Sequence, residues 1–548
     1  MEAGEKAPLR VRSYSLHQLI GLNLGIFLFI LVLLAPAPPG MTPAAQRMAA
    51  VALLMATWWI TEAVPIPVTA MLPLVLYPAL GIMSTAEAAP NYAAQLVFLF
   101  LGGFLIAAAM VKWNLHRRVA LLTIRLIGTG PRRLVLGFML ATALLSMWIS
   151  NTATTMMMLP IAMAAVGRLA EGATWRGKGG EGSAAAEDSV KNSFGLALML
   201  GIAYAASVGG IGTLIGTPPN GIFVGQLARN YPGGAPEVSF FQWMMVGMPV
   251  SLAMIPLVWV VVVYLAPRRR LSSFSFSGGG SEVIETELRH LGPMSAGERK
   301  VAAVFVATAL LWIFRQPIEL GFATIPGWAP IYGLADFWSD STIAVMMGTL
   351  LFLLPSDIKT FSLREDRRRN FVLDWRTAQS SVPWGVLLLF GGGFALADGF
   401  SRSGLSLWIG ERLQFLNGVP ILLVIVAICL LMTFLTEMTS NTATTTLMIP
   451  ILAVAAMEMG QHPFLLMIPA TISASCAFML PVATPPNAIV FASGWVSVPR
   501  MSRTGVLLNF IGVIVVTAAV LLVATQVFGI VLGEIPDWAT RLGSEVVR

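Results

Sequence analysis

The hexapeptide Ser-Asn-Thr-Ala-Thr-Thr occurs twice in this chain, at 150–155 and at 440–445. Each copy is followed by four residues and a proline, Pro160 or Pro450, and each lies inside a long apolar run. No Lys, Arg, Asp or Glu occurs between Leu134 and Gly167, so the first cluster sits where water does not normally reach. Hydroxyls and amides are costly in hydrocarbon unless they line a site or satisfy broken backbone. The same expensive cluster, present twice, restricts the chain to folds in which a membrane-embedded site is built from two halves.

Composition agrees. Hydrophobic residues make up 56% of the 548 and charged residues 11%, against roughly 25% charged in soluble domains. Apolar runs recur from 18–36 to 504–533, most near or above the length of about 20 residues that spans hydrocarbon. The expected fold is an all-α polytopic membrane protein. The formal charge of +7 does not point to nucleic acid. Its basic residues cluster between spans, at Lys6, Arg10 and Arg12, from Lys112 to Arg133, at Arg268–Arg270 and at Arg367–Arg369. That is the pattern of the positive-inside rule, and it puts the N-terminus in the cytoplasm. Cys429 and Cys476 both fall in apolar runs and belong to no metal-ligand spacing. The first apolar stretch is expected to be retained as the first span rather than removed as a signal peptide.

The duplication extends beyond the hexapeptide. Leu101-Gly102-Gly103-Phe104 recurs as Gly391-Gly392-Gly393-Phe394 at the offset of 290 residues that also relates Ser150 to Ser440. Gly216-Thr217-Pro218-Pro219-Asn220 recurs as Ala483-Thr484-Pro485-Pro486-Asn487 at an offset of 267. The difference corresponds to a polar insertion at 171–192. Counting spans between basic loops brings the first hairpin in from the cytoplasm and the second from outside, an inverted repeat of the kind from which many secondary transporters are built. The expected organisation is a tail and first span over 1–40 and a first repeat over 41–267, containing a hairpin near 134–167 and a broken helix near 194–228. A cytoplasmic linker follows at 268–300, then a second repeat over 301–533 with a hairpin near 413–457 and a broken helix near 463–499, and a tail at 534–548.

Each hairpin segment is too long for one span and too short for two, which suits a re-entrant loop with the polar motif at its tip. Helix N-termini at such a tip present N–H groups and partial positive charge to an anion. An Asn amide or a hydroxyl serves either an anion or a cation. The paired prolines cannot donate backbone bonds and disfavour helix in the preceding residue, so carbonyls near Gly216 and Ala483 are freed for a hard cation. Neither 194–228 nor 463–499 contains a Lys, Arg, Asp or Glu, and between Leu413 and Met457 the one such residue is Glu437. A bound anion must therefore rely on dipoles, hydroxyls, amides and co-bound cations. An intramembrane enzyme is disfavoured, since there is no His-Glu-x-x-His and no aspartate pair or Ser–His combination in one core. A channel has no need of two inverted binding hairpins.

With Trp58-Trp59-Ile60-Thr61-Glu62-Ala63-Val64-Pro65, these paired motifs resemble, in order from Trp58 to Asn487, the divalent-anion/sodium symporters, the INDY-type carriers. The resemblance implies eleven spans plus two re-entrant hairpins, a homodimer, elevator-type movement, and di- or tricarboxylate substrates carried with sodium across a cell membrane, here expected to be a bacterial inner membrane. It places a first sodium site at Ser146, Ser150, Asn151 and the Gly216 backbone. A second lies at Thr436, the Thr439 carbonyl, Asn441 and the Ala483 backbone. Substrate carboxylates would meet Asn151, Thr152, Asn441 and Thr442, with Ser150, Ser440, Thr217, Pro218, Thr484 and Pro485 beside them. Two intact Ser-Asn-Thr motifs resemble the C4-dicarboxylate branch (succinate, malate, fumarate), with citrate and sulfate carriers as alternatives. Sodium-independent exchangers of the family replace the cation by basic side chains, and none occurs in these segments. Glu437 stands where the repeat partner is Met147, and both a coupling role and a place at a hydrated helix end are open to it. Asp398 and Arg402, four residues apart, are expected to pair. Glu62 and the four histidines read as structural.

Overall fold

The computed structural model describes residues 15–128, 130–171, 173–175, 191–231, 235–266, 274–276, 279–319, 324–356, 371–413 and 418–540. The first half contains α1 (Leu16–Leu34), α2 (Pro43–Thr61), α3 (Gln95–Lys112), α4 (Leu115–Ile127), α5 (Pro131–Ser146), α6 (Asn151–Glu171), α7 (Leu196–Gly210), α8 (Pro218–Asn230) and α9 (Phe240–Val260). After α10 (Gly279–Leu291) come α11 (Ala296–Ile313), α12 (Asp340–Leu353), α13 (Trp384–Ser403), α14 (Ile421–Thr436), α15 (Asn441–Glu458), α16 (Phe464–Ser473), α17 (Pro485–Ala492) and α18 (Val498–Ala519). Among the described residues six helices are long and apolar enough to cross a membrane: Leu16–Leu34, Thr85–Lys112, Ser193–Gly210, Phe240–Leu265, Trp384–Ser403 and Val498–Val527. Ile66–Ala79, Asp340–Leu353, Ile421–Thr436 and Phe464–Ser473 are shorter apolar helices.

The expectation of an all-α chain needs a small correction. Among the described residues two short antiparallel ladders are present, β1 (Ala173–Trp175) with β2 (Phe274–Phe276) and β3 (Ile318–Glu319) with β4 (Thr324–Ile325). The first is informative because it pairs the polar insertion with the linker, in the register Thr174 to Ser275. The same linker continues into α10, which packs on α4 and α6 and joins Glu287 to Arg117 in an ion pair. Two segments about 100 residues apart in sequence thus pair with each other. Residues 172 and 176–190 of that insertion, and the basic clusters at Lys6–Arg12, Arg268–Arg270 and Arg367–Arg369, lie outside the described residues.

Apolar helices without a hydrophobic drive between them associate through small residues, and this chain does so repeatedly. A Cβ on Gly21 of α1 would lie 2.1 Å from Thr61 of α2, and one on Gly102 of α3 would lie 2.3 Å from the Ala344 carbonyl carbon of α12. The centre is different. Every residue of α7 and of α16 is buried, the signature of helices enclosed on all sides by protein. Around them the halves cross over: α6 packs on α7 and on α17 of the other half, while α15 packs on α16 and on α8. Gln226 of α8 makes this crossing specific, donating 2.8 Å to the Thr446 carbonyl of α15. The pairs that carry the Ser-Asn-Thr motifs are thereby locked to the opposite half's broken helix.

Candidate functional site

Each motif opens a helix. Ser150 and Ser440 precede α6 and α15, and their hydroxyls accept from the N–H groups of Ala153 (3.3 Å) and Ala443 (3.4 Å). This is N-capping, the usual task of serine at this position. Asn151 and Asn441 are the first helical residues, with Thr152 and Thr442 following. Among the described residues the hydroxyls of Thr152, Thr442 and Thr217 make no hydrogen bond. Thr155 and Thr445, by contrast, bond back to the Asn151 and Asn441 carbonyls at 2.8 and 2.7 Å, so the last hydroxyl of each hexapeptide serves the helix itself. Pro160 and Pro450 lie inside these helices rather than at their starts.

The first site is rich in oxygen and poor in protons. Ser146 Oγ, at the end of α5, lies 2.5 Å from Asn151 Oδ1 and 2.7 Å from the Ala206 carbonyl. A hydroxyl carries one proton and can serve only one of these. With the Asn151 amide turned over, its NH2 faces the Ala206 carbonyl at 3.2 Å, Ser146 Oγ at 2.5 Å and the Gly216 carbonyl at 3.3 Å. That leaves three acceptors for two hydrogens. Carbonyl and hydroxyl oxygens gathered at an unwound helix are the ligand set of a sodium ion. Gly210 allows the approach, since a Cβ there would fall 2.8 Å from Asn151 Oδ1. Ser146, Asn151 and Gly216 are therefore brought together, whereas Ser150 is exposed and held by its capping bond.

The second site is looser in its side chains. Asn441 Oδ1 is buried with no hydrogen-bond partner, an oxygen available to a cation. The Thr436 hydroxyl donates within α14, to Met432 O at 2.8 Å or Thr433 O at 3.1 Å, which leaves its lone pairs free. Thr439 Oγ1 sits 2.7 Å from Thr444 Oγ1 and 2.8 Å from the Leu435 carbonyl, so of this residue the main-chain carbonyl remains to act as a ligand. Among the described residues no direct hydrogen bond joins Thr436, Asn441 and Ala483.

Both breaks are longer than the prolines alone require. α7 stops at Gly210 and α16 at Ser473, and the prolines open the next helix at its first two positions, where a missing N–H costs nothing. Thr217 and Thr484 are the N-caps, and the Thr484 hydroxyl accepts from Asn487 N at 3.3 Å. Pro218 is half-buried and Pro485 exposed.

Sequence reasoning missed the residues that shape these breaks. Asn220 Nδ2 donates to the carbonyls of Gly210 (3.1 Å) and Thr213 (2.7 Å). Asn487 Nδ2 does the same to Ala477 (3.3 Å) and Leu480 (3.0 Å). The 267-residue offset was the available signal, for it relates both the donors and the acceptors. Gly247 of α9 and Gly505 of α18 also form a pair: a Cβ on either would fall 2.4 or 2.2 Å from the carbonyl oxygen of Ile211 or Phe478. Nothing in the sequence pattern marked these glycines.

Glu437 is buried, not at a hydrated end. Asp398 pairs with Arg402 at 2.8 Å, and Arg402 continues to Glu87 at 2.9 Å. His116 Nδ1 lies 3.0 Å from the Met110 carbonyl.

Apolar spanning helices, two crossed helix breaks and paired amide–hydroxyl clusters define a membrane carrier protein. Residues 16–535 match the family model described as the sodium:sulfate symporter transmembrane region, and the chain belongs to that family. It is 41% identical over 522 residues to the sodium-dependent dicarboxylate transporter SdcS of Staphylococcus saprophyticus subsp. saprophyticus, covering 95% of this chain and 94% of that one. It is also 41% identical over 526 residues to SdcS of Staphylococcus aureus, with the same shares covered. A crystal structure of the Alcanivorax borkumensis YdaH transporter aligns with a TM-score of 0.49 at 13% identity over 94% of this chain and 97% of that one, too distant to carry an argument.

Proposed function

We propose that the protein is a secondary active transporter that couples inward sodium movement to uptake of a C4-dicarboxylate. The observation that carries this reading is the first helix break, where the Ser146 hydroxyl and the Ala206 and Gly216 carbonyls surround Asn151 at a helix N-terminus. Cation oxygens and anion-seeking N–H groups thus occur together there, and the repeat carries the same residue types into the second half. Sodium binds at Ser146, Asn151 and the Gly216 carbonyl in one half, and at Thr436, the Thr439 carbonyl, Asn441 and the Ala483 carbonyl in the other. The two ions supply the positive charge that these segments lack in their side chains, and the substrate carboxylates take the uncommitted hydroxyls of Thr152, Thr442 and Thr217 together with the N-termini of α6, α15 and α8. The relatives' name, sodium-dependent dicarboxylate transporter, supports the same pairing of ion and substrate.

In the membrane this reading has eleven spans, a cytoplasmic N-terminus, and α5–α6 and α14–α15 as re-entrant hairpins entering from opposite sides. The crossed bundle of α6, α7, α8, α15, α16 and α17 moves as one body, elevator fashion, against α3, α11 and α12 in a homodimer. The aromatic contact of Trp148, at the first hairpin tip, with Phe305 and Trp312 (ring centroids 4.9 and 6.5 Å apart) provides an apolar surface without directional bonds on which such a body can shift.

The test is uptake of labelled succinate into proteoliposomes with and without an inward sodium gradient. Uptake that requires sodium is expected. Uptake that requires only a dicarboxylate-loaded lumen would make the protein an exchanger and remove both sodium sites. Sodium-driven uptake of sulfate or citrate without succinate would keep the sites and change the substrate.

A further inference from the structure

The second helix break carries a feature with no equivalent in the first. Phe478, Met479 and Leu480 follow the end of α16 without forming a turn of their own, and their three N–H groups all point at one carboxylate. Glu437 Oε1 accepts from Phe478 N (2.8 Å) and Met479 N (2.9 Å), and Oε2 accepts from Leu480 N (3.0 Å). Asn509 of α18 completes the shell, donating 2.8 Å to Oε1 while its own Oδ1 accepts from Phe478 N at 3.2 Å. All four groups facing the carboxylate are donors, so it acts as acceptor alone. In the first half the corresponding residues bond locally, Ile211 N to Val208 O (3.2 Å) and Gly212 N to Gly209 O (2.9 Å), and Met147 occupies the place of Glu437.

We propose that Glu437 is a positioning residue of the second sodium site, holding the Ala483 carbonyl and the tip of α14 in one ligand geometry. The proposal rests on the sodium-site reading above. Glu437 directly follows Thr436 and lies four residues before Asn441, so it is fixed to one set of ligands by the chain. Through Leu480 it is fixed to the other: the Leu480 carbonyl accepts from Ala483 N (3.2 Å) and from Asn487 Nδ2 (3.0 Å). One side chain therefore ties together the two elements whose oxygens form the site. In the first half that tie is divided between Thr213, whose hydroxyl donates to the Met147 carbonyl, and Ser146, which donates to Ala206. The second site depends on a single group where the first depends on several.

The experiment uses the full chain, purified and reconstituted, with the variants Glu437→Gln and Asn509→Leu and with Asn441→Ala as reference. Three quantities are read: the rise in melting temperature with sodium concentration, the sodium half-saturation of succinate uptake, and the succinate KM at saturating sodium. Glutamine keeps the shape but turns an NH2 toward the Leu480 N–H. Loss of hydrogen bonds to a charged group should raise the sodium half-saturation about tenfold in either variant, with succinate KM changed less than about twofold. The sodium-dependent stabilisation should shift to higher sodium in parallel, a readout that needs no transport. An unchanged sodium half-saturation would overturn the proposal. So would a succinate KM raised as far as that for sodium, or a lower melting temperature with its sodium dependence intact. Should Asn441→Ala also leave sodium dependence untouched, the second site itself has failed. If Asn441→Ala is impaired and Glu437→Gln is not, the site stands and the role of Glu437 falls.

Discussion

In the first half, the break between α7 and α8 turns on glycines and closes its own backbone bonds. In the second, the break between α16 and α17 contains no glycine from Ala474 to Thr484 and hands its N–H groups to side chains from α14 and α18. The two breaks nevertheless present the same face: an asparagine folded back on the preceding carbonyls, a threonine cap, and two prolines opening the next helix. Duplication has kept what a ligand meets and let the support behind it diverge. Backbone support needs glycine because a Cβ on Gly216 would fall 2.4 Å from the Gly210 carbonyl oxygen. Side-chain support needs no such opening, which is why alanine stands at 483.

The largest effects should come from what the halves share. Asn151→Ala and Asn441→Ala each remove a ligand oxygen and an amide from a helix N-terminus, and either should cut sodium-driven uptake by about 100-fold at limiting sodium, the upper range for disturbing a metal site. A variant of either residue with wild-type uptake would show that its half contains no site. The difference between the halves is tested next. Gly216→Ala must push one backbone segment off another and should lower uptake about tenfold, in keeping with overpacking costs of about 1–3 kcal/mol. Ala483→Gly adds only chain freedom, about 0.5–1 kcal/mol, and should lower uptake less than about fivefold. Equal losses in assays of the two variants side by side would erase the contrast between backbone and side-chain support.

A smaller effect separates cation from anion within each half. Thr152→Ala and Thr442→Ala delete hydroxyls that have no protein partner among the described residues. Each should raise the dicarboxylate KM about three- to tenfold, the net worth of a typical hydrogen bond, while sodium half-saturation moves less. An equal rise in both, measured by titrating each ligand at saturation of the other, would mean that the hydroxyls bind sodium.

The sequence displayed the shared features and concealed the divergent ones, for a physical reason. Ser-Asn-Thr and Thr-Pro-Pro-Asn are local: capping, proline geometry and the cost of polar groups in hydrocarbon act within a few residues, so the motifs alone located the helix starts. The carboxylate at 437 was visible as an anomaly, but its partners, Phe478–Leu480 and Asn509, are 41 to 72 residues away. Gly247 and Gly505 matter only because another helix lies against them. The meeting of the insertion with the linker, through β1 and β2, is likewise a tertiary event that short polar segments do not announce.

The smallest expected effect comes from a joint outside both breaks and serves as their control. Asp374 caps the helix at Trp375–Ser381 and pairs with Lys112 at the end of α3, at 2.9 Å and with 18% of each side chain exposed. Burial pushes its pKa up, but hydrogen bonds from the Thr377 hydroxyl and N–H and the nearby Lys112 outweigh this and hold it at about 2. Because the folded value is depressed, the group's contribution is full above the unfolded carboxyl value of about 3.9 and is lost as pH falls through about 2. Asp374→Ala should therefore lower stability at neutral pH by about 1–2 kcal/mol, the range of a lost cap and partly screened pair, and the gap from wild type should narrow below pH of about 4 and close as pH falls through about 2. Sodium half-saturation and succinate KM should stay at wild-type values. A change in sodium affinity here would mean that the two sites feel the surrounding frame, and would weaken every inference drawn from differences between the breaks themselves.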